Sequence, residues 1–536
     1  MGKELAELLF PGINKTVEGY LKMYTKRQTN AFRYAPSPTG FLHIGGLGMT
    51  YVNSMLAKKN NGILFLRIED TDQKREVSGA VREQVEGLAS FGIKFDEGFD
   101  GGKHFGNYAP YRQSERSEIY HTFAKRLVEL GSAYPCFCTD VELDNMRKTQ
   151  TQNKQPIGYW GDFAVCKDLT LRDVKKRLER GEQWCLRFNP EKTMHGPRVE
   201  WHDLVRGKMS LPSIINHVVI VKKEGLPPYN FAHVVDDTLM RTSHILRGEE
   251  WLSSTAEHIQ IARAFALTDI GGYSYAHLPT ITIMDGESKR KLSKRKDKEA
   301  AVAHFLEKGY PREAILEYLL TLYNTDFEMW RIANPGACVS EFNFRLEKIG
   351  SNSPLFDLAK LNDISRNIIA GKTKAQISKE VADYFATRKD KESKCIRENM
   401  NALHAILAVD RETPKPRKDL ARFSDIYGEY EYLFRRVVVG SRDLSRDMRS
   451  LIEQIVATYS ASDERDVWWN KIKELCEKHN FAGNMKDFKA NPSIYKGNIG
   501  EATQALRRLL TGRENTPDLY VIMKILGKDE IRARLG

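Results

Sequence analysis

The sequence predicts an α/β protein: a Rossmann-like, doubly wound parallel sheet, interrupted by an inserted domain and followed by an α-helical region. Three observations carry this. The short strand pattern "NAFRYA" is followed by the helical pattern "LGMTYVNSMLAKKN" and by a second strand, "GILFLRIED". A parallel pair joined by a helix is the nucleotide-binding half of such a sheet. From about residue 110 to 215 this regularity gives way to scattered cysteines, short strands and a basic helix. Beyond about residue 300 helical spacing dominates.

Taken in order, residues 1–30 form an N-terminal extension, "MGKELAELLFPGINKTV" and beyond, with early acidic residues and no continuous apolar stretch. It resembles neither a secretory signal nor an Arg-rich transit peptide. Residues 31–109 hold the first half of the sheet. The insertion spans 110–213; its segment "IYHTFAKRLVELG" reads as a helix stopped at Gly131, and "LRDVKKRLERG" as a basic helix. "INHVVIVKKEG" restores a buried strand pattern, so the main sheet is expected to resume near Ile214 and to occupy 214–285. A lysine-rich loop region follows at 286–350, and 351–536 is helical. There Trp468, Ile472, Leu475 and Cys476 share one helix face, as do Ile499, Ala502, Leu506, Leu509 and Leu510 before Gly512. The Pro-rich, charged "ETPKPRKD" at 412–419 is expected to join two helical modules.

Bulk properties narrow the class. An apolar fraction of 41% with 29% charged residues belongs to a folded, surface-rich chain and excludes an intrinsically disordered one. No run of 18 apolar residues occurs, so no membrane span is expected. Seven cysteines, an odd and sparse set, argue for a reducing compartment. A net charge of +12 reads either as solubility or as affinity for a polyanion such as nucleic acid.

Two stretches carry chemistry. In "APSPTGFLHIGGL", Pro36 and Pro38 hold the chain extended, while Gly40, Gly45 and Gly46 let backbone approach a ligand. The helix that follows aims free N–H groups and its positive dipole into that space, with His43 as a further donor. In "SKRKLSKRKDK", seven cationic residues and one acidic residue surround Ser293. Alone, a stretch like the first is more often just a turn and one like the second usually a solvated face; together they could hold a polyphosphate.

His43-Ile44-Gly45-Gly46 and Lys291-Leu292-Ser293-Lys294-Arg295 resemble the two signatures of class I aminoacyl-tRNA synthetases. "RYAPSPTGFLHIGGL", "RIEDTD", "YNFAHVVDD", "ILRGEEWLSSTAEH" and "KLSKRK", in that order, resemble bacterial-type glutamyl-tRNA synthetase, in which "APSP" stands where other branches carry Pro-Glu-Pro. The likeness runs from about Arg33 to "TGRENTPDLYVIMKILG". It implies a class I catalytic domain, an inserted acceptor-binding domain and anticodon-binding helices. The implied reaction is activation of glutamate by ATP with Mg²⁺, then transfer to the 3′ end of glutamate tRNA, by a cytoplasmic monomer. Glutamine tRNA stays open as a second acceptor. The rival readings are a catalytically silent tRNA-binding paralogue and a glutamyl-queuosine tRNA-modifying enzyme.

The same resemblance implies roles by residue. His43, Lys291 and Lys294 would act on the ATP phosphates, with Gly45, Glu250 and Trp251 also at the nucleotide. Arg33 would take the glutamate side-chain carboxylate, since a guanidinium fork is bidentate and always charged. Ala35, Ser37, Glu69, Tyr229 and Arg247 would complete that pocket. His233 would also bind glutamate in that pocket, standing where relatives are expected to carry Asn. Cys136, Cys138 and Cys166, with Asp168 at the fourth position, resemble a structural zinc site; three thiolates suit tetrahedral zinc, but buried free cysteines are also common.

Overall fold

A computed structural model describes residues 2–267, 273–293, 296–437 and 444–535. The chain divides into two compact units, Met1–Phe305 with Leu316–Asp357, and Leu306–Ile315 with Leu358–Gly536.

The first unit is built on a six-stranded sheet. Ala31–Tyr34 lies between Ile63–Leu66 and His244–Gly248, parallel to both. Ser274–Leu278 continues the parallel set beside His244–Gly248, and Arg198–Asp203 joins it in turn. Gly207–Pro212 closes the edge as the antiparallel arm of a hairpin. The first strand is buried at every position, as a strand covered on both faces must be. The helix Ile44–Lys59 makes the crossover to Ile63–Leu66.

The main sheet does not resume near Ile214. Val219–Val221 does not return to the main sheet; it pairs with Cys185–Phe188, which pairs with Ala133–Cys136 in a separate three-stranded sheet. The main sheet resumes earlier, with the hairpin at 198–212. Burial pattern identifies a strand but does not name its partner, and both sheets bury their strands. The helix predicted before Gly131 runs Ser117–Glu129, and Gly131 adopts a left-handed φ of 72°.

The leading residues belong to the first unit. Helix Gly2–Leu9 lies so close on Ser117–Glu129 that a Cβ at Gly2 would sit 2.4 Å from the Glu129 carbonyl oxygen. Arg27 donates through both terminal nitrogens to Glu97 at 2.8 Å and covers the Tyr108 ring at 3.8 Å.

The second unit is helical, and its described residues form two apolar clusters. The predicted face of Trp468, Ile472, Leu475 and Cys476 meets that of Ile499, Ala502, Leu506, Leu509 and Leu510 in one of them. The helix carrying the latter ends at left-handed Gly512. The other cluster collects Leu403 and Leu407 from before "ETPKPRKD" and Leu420 and Phe423 from after it. That stretch is therefore a loop within one core, not a joint between two; proline and charge mark a break in helix without saying what packs across it.

Candidate active site

Beyond Tyr34 the chain keeps its alignment with the neighbouring strand. Arg67 N–H donates to the Tyr34 carbonyl at 3.0 Å, Glu69 N–H to Pro36 at 2.9 Å and Val77 N–H to Pro38 at 2.8 Å. Two prolines cost this loop no hydrogen bond, since their carbonyls still accept. His43 then caps the helix Ile44–Lys59: its Nδ1 accepts from the Gly46 N–H at 3.1 Å. Accepting at Nδ1 puts the ring proton on Nε2, the donor form. A Cβ on Gly46 would meet the Tyr34 hydroxyl at 2.9 Å, and one on Gly45 the His43 ring at 3.1 Å.

These elements open onto one cavity of about 920 Å³. From the loop and its helix, Arg33, Ala35, Ser37, His43 and Gly45 line it. Glu69 lines it from the end of the second strand, and Tyr229, Arg247, Glu250 and Trp251 from the later half of the sheet. Lys291 arrives on the antiparallel hairpin of Thr282–Asp285 with Ser288–Lys291. Its ammonium contacts Glu250 Oε1 at 2.8 Å, and both side chains are about half exposed. Lys294 lies outside the described residues.

A buried charge network runs inward from the cavity wall. Arg33 Nε donates to Asp237 Oδ1 at 3.0 Å, and its remaining contacts are Asp237 Oδ2 and the Leu246 carbonyl. Arg67 Nη1 donates to Asp237 Oδ1 at 2.8 Å and Nη2 to Glu69 Oε1 at 2.9 Å. Burial pushes the Asp237 carboxyl up, but the guanidiniums of Arg33 and Arg67 outweigh it and hold the group well below the usual carboxylate range. At Glu69 burial wins, and its carboxyl stays above that range despite Arg67 and Arg33.

His233 departs from the expectation. It does not line the cavity; it is wholly buried, stacked beneath Tyr229 at 5.0 Å between ring centres, with Nδ1 2.9 Å from Asp237 Oδ2. One helical turn separates His233 from Asp237, so the helix Tyr229–Leu239 points both inward while Tyr229 takes the cavity side. Burial drives the ring's pKa down to about 3, so it is neutral.

One lining residue, Lys222, and two residues at the lysine hairpin, Arg290 and Asp297, are given no role by the sequence motifs. Lys222 lines the cavity and donates to the Thr71 carbonyl at 3.1 Å, although "VIVKKEG" reads only as strand and turn. Arg290 and Asp297 brace the lysine hairpin: Arg290 Nη1 and Nη2 each donate to Asp297 at 2.6 Å, and the Ser293 N–H adds a third bond at 2.7 Å.

Away from the cavity, the thiols of Cys136, Cys138 and Cys166 lie within 4.8 Å of one another. Asp168, expected as the fourth ligand, is exposed and outside this group. The Tyr159 hydroxyl is the group that joins them, 3.2 Å from Cys138 Sγ and 3.5 Å from Cys136 Sγ. Cys185 faces Cys136 across the strand pair. Hydrogen bonds from the other thiols, with Arg187 nearby, hold Cys136 far toward its thiolate. Neither Tyr159 nor Cys185 has the Cys-x-Cys spacing that gives Cys136 and Cys138 away.

Residues 31–361 match the family model "tRNA synthetases class I (E and Q), catalytic domain", and residues 495–536 match "Anticodon binding domain". The glutamate–tRNA ligase of Clostridium perfringens strain 13 is 42% identical over 99% of this chain and 100% of its own length. That of Clostridium beijerinckii is 43% identical, covering 99% and 98%. The crystal structure of a glutamate tRNA ligase from Elizabethkingia meningosepticum in complex with its amino acid superposes with a TM-score of 0.74 at 25% identity, over 95% of this chain and 98% of that one.

Proposed function

The chain belongs to the glutamate–tRNA ligases of the class I aminoacyl-tRNA synthetase family, and from that membership we propose how its residues divide the reaction. Glutamate and ATP give glutamyl-adenylate and pyrophosphate; the acyl group then passes to the terminal adenosine of glutamate tRNA, and AMP leaves. The observation that carries this reading is the meeting, in one cavity, of an Nε2–H imidazole at a helix N-terminus, a lysine hairpin and two buried guanidiniums.

His43 Nε2–H and the N–H groups of the helix start at Gly45 receive the ATP phosphates, where a positive dipole end and close backbone suit an anion. Lys291, with Lys294 beyond it, stabilises the negative charge that grows on the leaving pyrophosphate. Mg²⁺ accompanies ATP and neutralises part of its charge. Trp251 and Glu250 lie toward the adenosine. Glutamate places its side-chain carboxylate between Arg33 and Arg247, under the Tyr229 hydroxyl. Its ammonium meets Glu69, with Ser37 and the Ala35 backbone beside it. His233 acts from beneath, through Tyr229 and Asp237.

The three thiols and the Tyr159 hydroxyl suit structural zinc. Bound there, zinc would brace the three-stranded sheet and the segment around it. Among the described residues no helix is long and apolar enough to cross a membrane, and the chain works where tRNA is charged, in the cytoplasm.

The deciding experiment is aminoacylation of purified glutamate and glutamine tRNAs, with each amino acid offered separately. Glutamate on its own tRNA alone is the expected result. Glutamate on both tRNAs would make the enzyme non-discriminating and require an amidotransferase downstream. Binding without charging would overturn the reading in favour of a silent tRNA-binding protein, a role that the intact set of His43, Arg33 and Lys294 argues against.

A further inference from the structure

Arg247 is 4% exposed, and among the described residues it pairs with no carboxylate. Its partners are neutral. Nε donates to His277 Nε2 at 2.9 Å, Nη1 to His258 Nδ1 at 3.0 Å and Nη2 to the Thr255 hydroxyl at 2.8 Å, with the Trp251 carbonyl at 3.4 Å. A guanidinium can only donate, so each imidazole must turn a lone pair toward it and carry its proton on the far nitrogen. Those far nitrogens are both occupied. His277 Nδ1–H donates to Asp203 Oδ2 at 2.5 Å, and His258 Nε2–H donates to Asn230 Oδ1 at 3.0 Å.

Asp203 is itself fully buried and built into a turn. Its Oδ1 accepts the N–H groups of Val205 and Arg206, both at 3.0 Å, and the backbone N–H of His277. It closes the edge hairpin formed by Arg198–Asp203 and Gly207–Pro212, next to the strand that carries His277. The carboxylate thus lies one imidazole away from Arg247: near enough to fix the ring's tautomer, too far to neutralise the guanidinium. Arg33 is the contrast, since Asp237 holds it directly. A buried cation without its own counterion is costly on its own and best satisfied by an anionic ligand.

We propose that Asp203 and His277 are positioning residues for glutamate: through the imidazole's tautomer they aim an unneutralised Arg247 at the substrate carboxylate, with Asn230 and His258 performing the same task from the other side. This rests on the reading above that Arg247 contacts glutamate. The edge hairpin, which looks like trim on the sheet, is then part of the amino-acid site.

Aminoacylation kinetics of the full chain, with glutamate and ATP varied in turn, test this. Asp203→Asn keeps the Oδ1 acceptor of the turn but offers His277 an N–H donor, which reverses the tautomer and sets Nε2–H against Arg247 Nε–H. His277→Phe keeps a ring of similar volume and removes the acceptor. Both should raise the KM for glutamate roughly tenfold or more, with the KM for ATP within about twofold, because one buried donor is left unsatisfied. His277→Gln can still accept from Arg247 and donate to Asp203, and should stay within about threefold of the parent. Should Asp203→Asn fail to fold, judged by its melting curve, the two His277 variants decide the matter. Arg247→Ala separates this proposal from the one beneath it. If Arg247→Ala raises the glutamate KM while Asp203→Asn and His277→Phe do not, the positioning role is wrong. Equal rises for glutamate and ATP in those variants would mean a merely structural role and overturn it too. If Arg247→Ala leaves the glutamate KM unchanged, Arg247 has been assigned to the wrong ligand and the positioning role falls with it.

Discussion

His233 shows how one buried side chain links a pocket to solution conditions. Burial holds its pKa near 3 in the folded chain, against about 6.5 when unfolded. Above pH 6.5 the ring is neutral in both states and adds nothing to the pH dependence. Below it, the unfolded chain takes up a proton that the folded chain refuses, so stability falls by about 1.4 kcal/mol per pH unit until roughly pH 3. From pH 6.5 to 5 that amounts to about 2 kcal/mol from this ring. Burial holds His258 and His277 below the usual histidine range as well, and their contributions have the same sign. His233→Asn should therefore make the fall in Tm between pH 6.5 and 5 shallower than in the parent. Superimposable slopes would show that His233 is protonated in the folded state.

The lysine hairpin is held by an ion pair whose members have no contact with substrate in the proposed arrangement. Arg290 grips Asp297 with two donors and Asp285 with a third, at 2.7 Å, and the Ser293 N–H closes the turn on Asp297. Those hydrogen bonds pull the Asp297 carboxyl down to about 2, so the clamp is closed at every working pH. The contact between Lys291 and Glu250 is different in kind. It is exposed on both sides, and such pairs are worth about 0–1 kcal/mol, so a phosphate bound as proposed above would displace Glu250 at little cost. Asp297→Asn should then reduce ATP–pyrophosphate exchange, measured with tRNA present, by about tenfold, since misplacing a charge by an ångström weakens it sharply. Tm measured on the same variant separates a displaced lysine hairpin from a loss of fold, since Asp297 is buried and Arg290 only a quarter exposed. Unchanged exchange in that variant would relegate the clamp to decoration.

Across the full chain, the net charge of +12 matches a polyanionic substrate that is far larger than the cavity. Lysine and arginine that neutralise phosphates release counterions, so affinity for tRNA should fall linearly with salt on a logarithmic plot. With six or more phosphates covered, about 10³-fold is lost between 50 and 200 mM salt. Binding measured by fluorescence anisotropy over that range checks it; a flat profile would remove nucleic-acid contact as the reason for the basic surface.

Much of this is legible in the sequence. Strand, glycine-rich loop and helix follow from local chemistry: Pro36 and Pro38 restrict the backbone, Gly45 and Gly46 leave room for the His43 ring, and apolar period marks each helix face. Such signals act within a few residues, so one dimension suffices to see them. The ordered motifs also brought Arg33, His43, Glu69, Tyr229, Arg247 and Lys291 to one cavity. What local pattern could not express is which distant groups meet. Val219–Val221 has the same buried look in either sheet, and only the ladder gives its partner. Asp168 had the right spacing but faces solvent, while Tyr159, with no spacing to announce it, reaches the thiols. His233 occupies a pocket position in the motif, yet the turn of its helix sends it beneath Tyr229. Asp203, 44 residues before Arg247, attracts no notice in the sequence. Its place under the site depends on strand order, which is set by packing over the whole sheet. Spacing reports what neighbouring residues can do; burial and partner, which set charge and tautomer, exist only once the chain has closed on itself.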